Sequence, residues 1–235
     1  MGQKLTIDVA MTSWPNHPRR IEYLTQILES LKEKLSASEH DLKFYCSAET
    51  EPDPKATWHG DELEAICQQY GIDLQWRDAK ANLGANMNAA MRMGTGEFIL
   101  LNQDDWWLRA PLDLSLGANL LHGHPELDIV RYCWPQADYM ALTLKEGPEG
   151  WRLIDPKGRW PYGDDPHLRR RDFMGKWGWY FEGGGHGSAS GTLMKLLASS
   201  NSQSVVADKV YYEHKGRVSA VLGDVRSGKN RRYEE

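Results

Sequence analysis

The sequence predicts an α/β domain: a mostly parallel central sheet with helices on both faces, and a hairpin and loop region in its C-terminal part. Three observations carry this. Strand and helix patterns alternate as βαβαβαβ through residues 5–102, and such alternation winds a parallel sheet through right-handed crossovers. The 235 residues are 40% apolar and 26% charged, enough for a sizeable core in one domain. No internal repeat and no second domain interrupts the pattern, so residues 1–235 read as a single unit with halves at 1–107 and 108–235.

Each element has its own signal. Residues 5–11 read as a buried strand ending in the polar turn Thr12-Ser13-Trp14-Pro15-Asn16. Ile21, Leu24, Ile27, Leu28, Leu31 and Leu35 then recur at helical spacing, with Pro18 suited to the first turn. A second strand at 42–46 runs into the acidic stretch 49–53. Leu63, Ile66, Cys67 and Tyr70 stripe a short helix that Gly71 can end. A strand at 72–76, a helix from about 86 to 93 stopped by Gly94, and a strand at 97–102 follow. Next come a helix at 110–122 with Pro111 near its start and a strand at 127–134. Residues 139–145 and 151–154, joined by Glu146-Gly147-Pro148-Glu149-Gly150, predict a β-hairpin. After Asp155 periodicity fades. Residues 155–190, rich in Gly, Pro and Trp and holding Arg169-Arg170-Arg171, read as a long functional loop, before a helix around 192–199 and a strand around 205–212.

Composition narrows the function. A net charge of −5 provides no overall basic field for nucleic acid or anionic lipid. Locally, residues 209–232 carry seven Lys/Arg against two acids, which suits a basic flap over a diphosphate or a nucleic-acid contact. The longest clean apolar stretch, Phe98-Ile99-Leu100-Leu101, is too short to cross a bilayer, and the N-terminus lacks a secretory h-region, so a cytoplasmic protein is expected. Cys46, Cys67 and Cys133 form no C-x-x-C and are expected as buried thiols. Ten Trp and ten Tyr against four Phe favour flat side chains with a polar handle, suited to sugar faces or bases.

In sheets of this kind ligands sit beyond the carboxyl ends of the strands, here at residues 12–16, 47–51, 77–88 and 102–107. Asp104 and Asp105 follow directly on the apolar strand and so emerge at that edge. Hard oxygen ligands there suit Mn²⁺ or Mg²⁺, which can stabilise charge growing on a departing nucleoside diphosphate.

Asn82-Leu83-Gly84, then Asn86 and Asn88, then Gly94-x-Gly96-Glu97-Phe98 and the acidic pair resemble the nucleotide-sugar core of family 2 glycosyltransferases of the GT-A fold. The resemblance extends upstream to Arg20, Leu24, Leu28, Ser30 and Leu31, and covers about residues 5–107. It implies a transferase moving a sugar from a nucleotide-sugar, with a UDP-sugar the expected donor, to an acceptor hydroxyl, inverting and divalent-metal dependent. The 1–107 half would bind the donor and the 108–235 half the acceptor. Asp105 would hold the metal and Asp104 would contact the donor's ribose or sugar; the first acidic position of the family's D-x-D motif is Gln103, a neutral amide. His214, ending the last strand, resembles the late His that completes such metal sites, with Lys215 and Arg217 beside it to neutralise phosphate.

Thr12, Ser13, Glu49 and Asp78 can hydrogen-bond a base or ribose, Trp14 or Trp106 can stack, and Arg19 or Arg20 can pair with phosphate. Asn82, Gly84, Asn88 and Gln103 join them as donor-site residues through the motif. An inverting transfer needs a carboxylate base. No E-D pair follows Asp105, so Glu182, before a glycine run, is the first candidate and Asp165 the second. A saccharide acceptor is expected before a modified nucleic-acid base. The competing classes are a sugar- or nucleotide-binding module without turnover and a DNA-binding protein.

Overall fold

The computed structural model describes residues 4–50, 58–77, 83–133, 143–158, 163, 165–182 and 186–214, the side chains of 186–190 excepted. The first half runs β1 (Thr6–Ser13), α1 (Pro18–Lys34), β2 (Leu35–Ser36), β3 (Asp41–Glu49), α2 (Gly60–Tyr70), β4 (Asp73–Arg77), α3 (Leu83–Met93) and β5 (Phe98–Gln103). It continues through β6 (Trp106–Leu108), β7 (Leu112–Asp113), α4 (Leu114–Gly123), β8 (Leu127–Arg131), β9 (Leu144–Glu146) and β10 (Trp151–Ile154). β11 (His167–Arg170), α5 (Phe173–Trp177), α6 (His186–Ala198), β12 (Gln203–Ala207) and β13 (Tyr212–His214) complete the described chain.

Nine strands form one sheet in the order β4-β3-β1-β5-β11-β8-β12-β10-β9. β4, β3, β1 and β5 are parallel. β11 is antiparallel to both β5 and β8, and β12 is again parallel to β8. The hairpin β9–β10 closes the far edge. Both faces are covered, which is why β5 reads as an unbroken apolar run rather than an alternation. Phe98 and Leu100 join the core formed with α1, α2 and α4, whereas Ile99 and Leu101 join the core formed with α3, α5 and α6.

Local chemistry sets the helix ends. Pro18 opens α1 behind His17, whose ring accepts the Arg19 N–H, and Gly71 ends α2 at φ +67. The Gly94-x-Gly96 spacing has a packing cause. Asp8 of β1 is buried beneath it and accepts the Gly96 N–H at 2.7 Å. Arg171 ties the corner by bonding Asp8, the Gly96 carbonyl and, at 2.9 Å, the Met91 carbonyl. Glu97 accepts the Thr6 N–H at 2.8 Å and so fixes the start of β1.

Several expectations are corrected. Residues 155–190 are not one long loop: β11 enters the middle of the sheet there and α5 follows. Arg169 is fully buried against Phe173 and Tyr180 by cation–π contact, and Arg170 bonds the His124 carbonyl, so these two arginines belong to a strand rather than a loop. The helix expected at 110–122 starts only at Leu114, capped by Asp113 accepting the Ser115 N–H, because Pro111 precedes the short β7. The helix expected around 192–199 begins at His186. The strand expected at 205–212 is two strands in different sheets, β12 and β13. Residues 134–142, which include the start of the expected hairpin, lie outside the described residues.

Two outcomes test this packing. A Cβ on Gly96 would lie 2.7 Å from the Thr6 carbonyl oxygen and 2.9 Å from the Asp8 carboxylate. Gly96→Ala is therefore expected to destabilise the fold by about 1–3 kcal/mol in urea titration; an unchanged midpoint would contradict the close approach. His167 is fully buried and donates its Nδ1–H to the Asp165 carbonyl at 2.6 Å, and burial lowers its pKa from 6.5 to about 3. The unfolded chain takes up this proton first. Its stability contribution is therefore present above pH 6.5 and is lost as pH falls toward 3. His167→Asn should flatten the acid limb of stability against pH by up to about 1.4 kcal/mol per pH unit; an unchanged slope would contradict a neutral buried imidazole.

Candidate functional site

The site is assembled where the parallel strands end. Thr12 lies in register with both Ser47 and Gln103, and Glu49 with Arg77, so the tips of β1, β3, β4 and β5 form one edge. Asn86, near the start of α3, ties two tips together. It accepts the Ser47 hydroxyl at 2.6 Å and donates to the Ser13 carbonyl at 3.3 Å.

The acidic pair splits into two roles. Asp104 turns inward, 6% exposed, where burial raises its carboxyl pKa against the opposing pull of Arg20. It accepts the Ser13 hydroxyl at 3.0 Å and the Arg20 guanidinium at 3.1 Å. Asp104, Ser13 and Arg20, all expected at the donor or its phosphates, are thus bonded to one another at the strand tips. Asp105 turns the other way. Its Oδ2 lies 3.3 Å from the His214 Nε2, although the residues are 109 positions apart in the chain.

Strand pairing brings these two together. β13 runs antiparallel to β6 with His214 opposite Trp106, and the His214 ring lies 4.7 Å from the Trp106 ring. Arg109 and Glu213 close the ribbon with an ion pair at 2.6 Å. Ser30 of α1 accepts the Leu108 N–H at 3.3 Å and holds β6 down. A carboxylate and an imidazole so placed have the donor chemistry to hold Mn²⁺ or Mg²⁺. Among the described residues no group of three or more His, Cys, Asp and Glu converges.

The two candidate bases differ sharply. Asp165 is buried and paired with Arg131, and it accepts the Cys133 thiol at 2.8 Å. That removes it as a base, because a proton acceptor must reach the substrate. Glu182 has a side chain 49% exposed and is held in place by the Asn88 amide at 2.7 Å, with Arg92 at 3.8 Å. Asn88 is fully buried, and its amide also brackets the Tyr180 backbone at 2.9 and 3.1 Å. Asn88, expected at the donor, is thus engaged with Glu182 and the Tyr180 backbone.

Of the remaining expected residues, Thr12 and Glu49 stand at the strand tips but are buried, while Trp14, Gln103 and Trp106 are half-buried there. Gly84 is buried in the first turn of α3 and Arg19 is exposed on α1. Asp78, Asn82, Lys215 and Arg217 lie outside the described residues, as does most of the basic segment. Cys46, Cys67 and Cys133 are buried thiols outside any disulfide, as expected. No described helix is long and apolar enough to cross a membrane.

No protein-family model matches this sequence, and no curated protein sequence matches it. Its likenesses are structural. S. aureus TarS 1-349 in complex with UDP-GlcNAc superposes with a TM-score of 0.60 at 16% identity over 91% of this chain and 61% of that one. The same protein with UDP gives 0.61 at 16% over 88% and 60%. The mannosyltransferase PcManGT from Pyrobaculum calidifontis, in complex with GDP-Man and Mn²⁺, gives 0.63 at 11% over 97% and 66%. The chain thus spans about three-fifths to two-thirds of the length of these proteins. At such identities the likeness is one of fold, and this chain has the GT-A-like α/β fold of glycosyltransferases.

Proposed function

We propose that the chain is a nucleotide-sugar-dependent glycosyltransferase that moves a hexosyl or related sugar to an acceptor hydroxyl with inversion. The observation that carries this reading is the meeting of Asp105 and His214 at 3.3 Å on the carboxyl edge of the sheet. The neighbours support the donor class, since they are bound to UDP, UDP-GlcNAc or GDP-Man, one of them with Mn²⁺.

Each residue then has a task. Asp105 and His214 would hold a divalent cation, which when bound supplies a Lewis acid for the developing diphosphate charge. Trp14, Gln103 and Trp106 border the donor at the strand tips, with a UDP-sugar the first choice. Asp104, Arg20 and Ser13 keep the Asp105 turn rigid, so no reorganisation accompanies charge development. Glu182 accepts the proton of the acceptor hydroxyl as that oxygen attacks the anomeric carbon and the nucleoside diphosphate leaves from the opposite side. A saccharide is the acceptor we favour.

Gln103 favours a second reading, a binding module that retains the donor site without turnover, because a neutral amide stands where the motif has an acid.

Thermal-shift titrations with UDP and GDP, with and without Mn²⁺, test the first reading. At saturation one of them is expected to stabilise the protein by about 2.7 kcal/mol, with most of that lost in Asp105→Ala and His214→Ala. Glu182→Gln should keep this stabilisation but lower donor turnover by at least about 100-fold. Metal-independent binding that survives Asp105→Ala would contradict the assignment, and binding without turnover in the parent protein would establish the module instead.

A further inference from the structure

Between α5 and α6 the chain places two large rings at the surface beside the proposed base. Gly178 ends α5 with φ +94, a conformation that L side chains rarely adopt, and the chain then turns back toward α3. The next residues alternate. Tyr180 is buried in the core at 2% exposure, while its neighbours Trp179 and Phe181 are 42% and 47% exposed. The Asn88 amide clamps the Tyr180 backbone on both sides, which fixes the two flanking rings relative to α3.

Trp179 is itself held. The Arg92 guanidinium stacks on one side of its ring, 4.0 Å from the centroid, and the same arginine lies 3.8 Å from Glu182. One aromatic face, one guanidinium and one carboxylate therefore lie together in a single group. This combination matches a pyranose ring, which presents C–H bonds on its face and hydroxyls around its rim. The C–H face stacks on an indole or phenyl ring, the guanidinium donates to hydroxyl oxygens and the carboxylate accepts from hydroxyl hydrogens. A purely apolar partner would leave Arg92 and Glu182 desolvated.

We propose that Trp179, Phe181 and Arg92 form a saccharide-binding platform that seats the acceptor sugar against Glu182. The inference rests on Glu182 being the base of the transfer. Arg92 is then a specificity-determining residue with two contacts, orienting the Trp179 ring and taking a hydroxyl of the sugar next to the reacting one.

The test uses the full chain with chitotriose, cellotriose and mannotriose as probes, read by saturation-transfer NMR and by titration. At least one trisaccharide is expected to bind the parent protein. Its affinity should fall about tenfold in Trp179→Ala and in Phe181→Ala and recover in Trp179→Tyr, while UDP binding in the presence of Mn²⁺ stays unchanged. Failure of all three sugars to bind, or equal binding by parent and variants, would overturn the platform. So would self-association, or binding to phosphatidylcholine vesicles, that disappears in Trp179→Ala, since the rings would then serve another surface. Glu182→Gln separates the two claims. If it binds the trisaccharide but still transfers sugar to it, the base assignment fails and the platform stands; if transfer is lost in Glu182→Gln but the ring variants bind normally, the platform alone fails.

Discussion

A buried carboxylate controls the geometry on which the site depends. Asp104 joins the turn after β5 to Arg20 of α1 and Ser13 of β1, so three elements meet at one charge. Leaving such a charge unpaired costs about 3–5 kcal/mol, which makes the inward orientation of Asp104 close to obligatory. With Asp104 held by Arg20 and Ser13, the neighbouring Asp105 meets His214 instead. The adjacent carboxylates are therefore not equivalent. One is paired with Arg20 and Ser13, and the other meets His214 and is the one we propose as a cation ligand.

The same device recurs around the sheet. Asp8 Oδ2 accepts from Arg171 and the Gly96 N–H, and Asp165 Oδ2 from Arg131 and Cys133. Each pairing crosses from the parallel half of the sheet, or from β8, to the segment carrying β11, the strand that reverses direction. An antiparallel strand inserted among parallel ones cannot be placed by crossover connections alone. Here it is pinned at both ends, by the Arg171–Asp8 pair at one and by the Asp165–Arg131 pair at the other. The chain continuing from that strand passes through α5 and delivers Glu182 to the surface, so the reversed strand links the core to the proposed base.

Most of the fold was legible in the sequence because the relevant signals are local. The stripe in α1, the Gly71 stop and the doubly buried run at 98–101 each report their element within one window. β11 was not legible. His167-Leu168-Arg169-Arg170 has the composition of a solvated loop, and only the distant partners of Arg169 and Arg171 make it a buried strand. β6 and β13 were missed for a related reason: each has three residues, and their pairing spans more than a hundred positions. Within the site, the motif order pointed to Asp105, and the strand-ending pattern pointed to His214. The inward roles of Ser13, Asn88 and Asp104 carried no sequence signal, since a side chain that braces a neighbour has the same identity as one that meets a ligand. Arg20 and Asn86 stood in the motifs and could have been read as their partners.

The contact between Asp105 and His214 is the central claim, and pulsed electron paramagnetic resonance of the Mn²⁺ and UDP complex tests it most directly. With histidine labelled with nitrogen-15, a hyperfine coupling from one imidazole nitrogen is predicted, and it should vanish in His214→Ala. A manganese spectrum with no histidine coupling, or one that persists unchanged in that variant, would contradict the account.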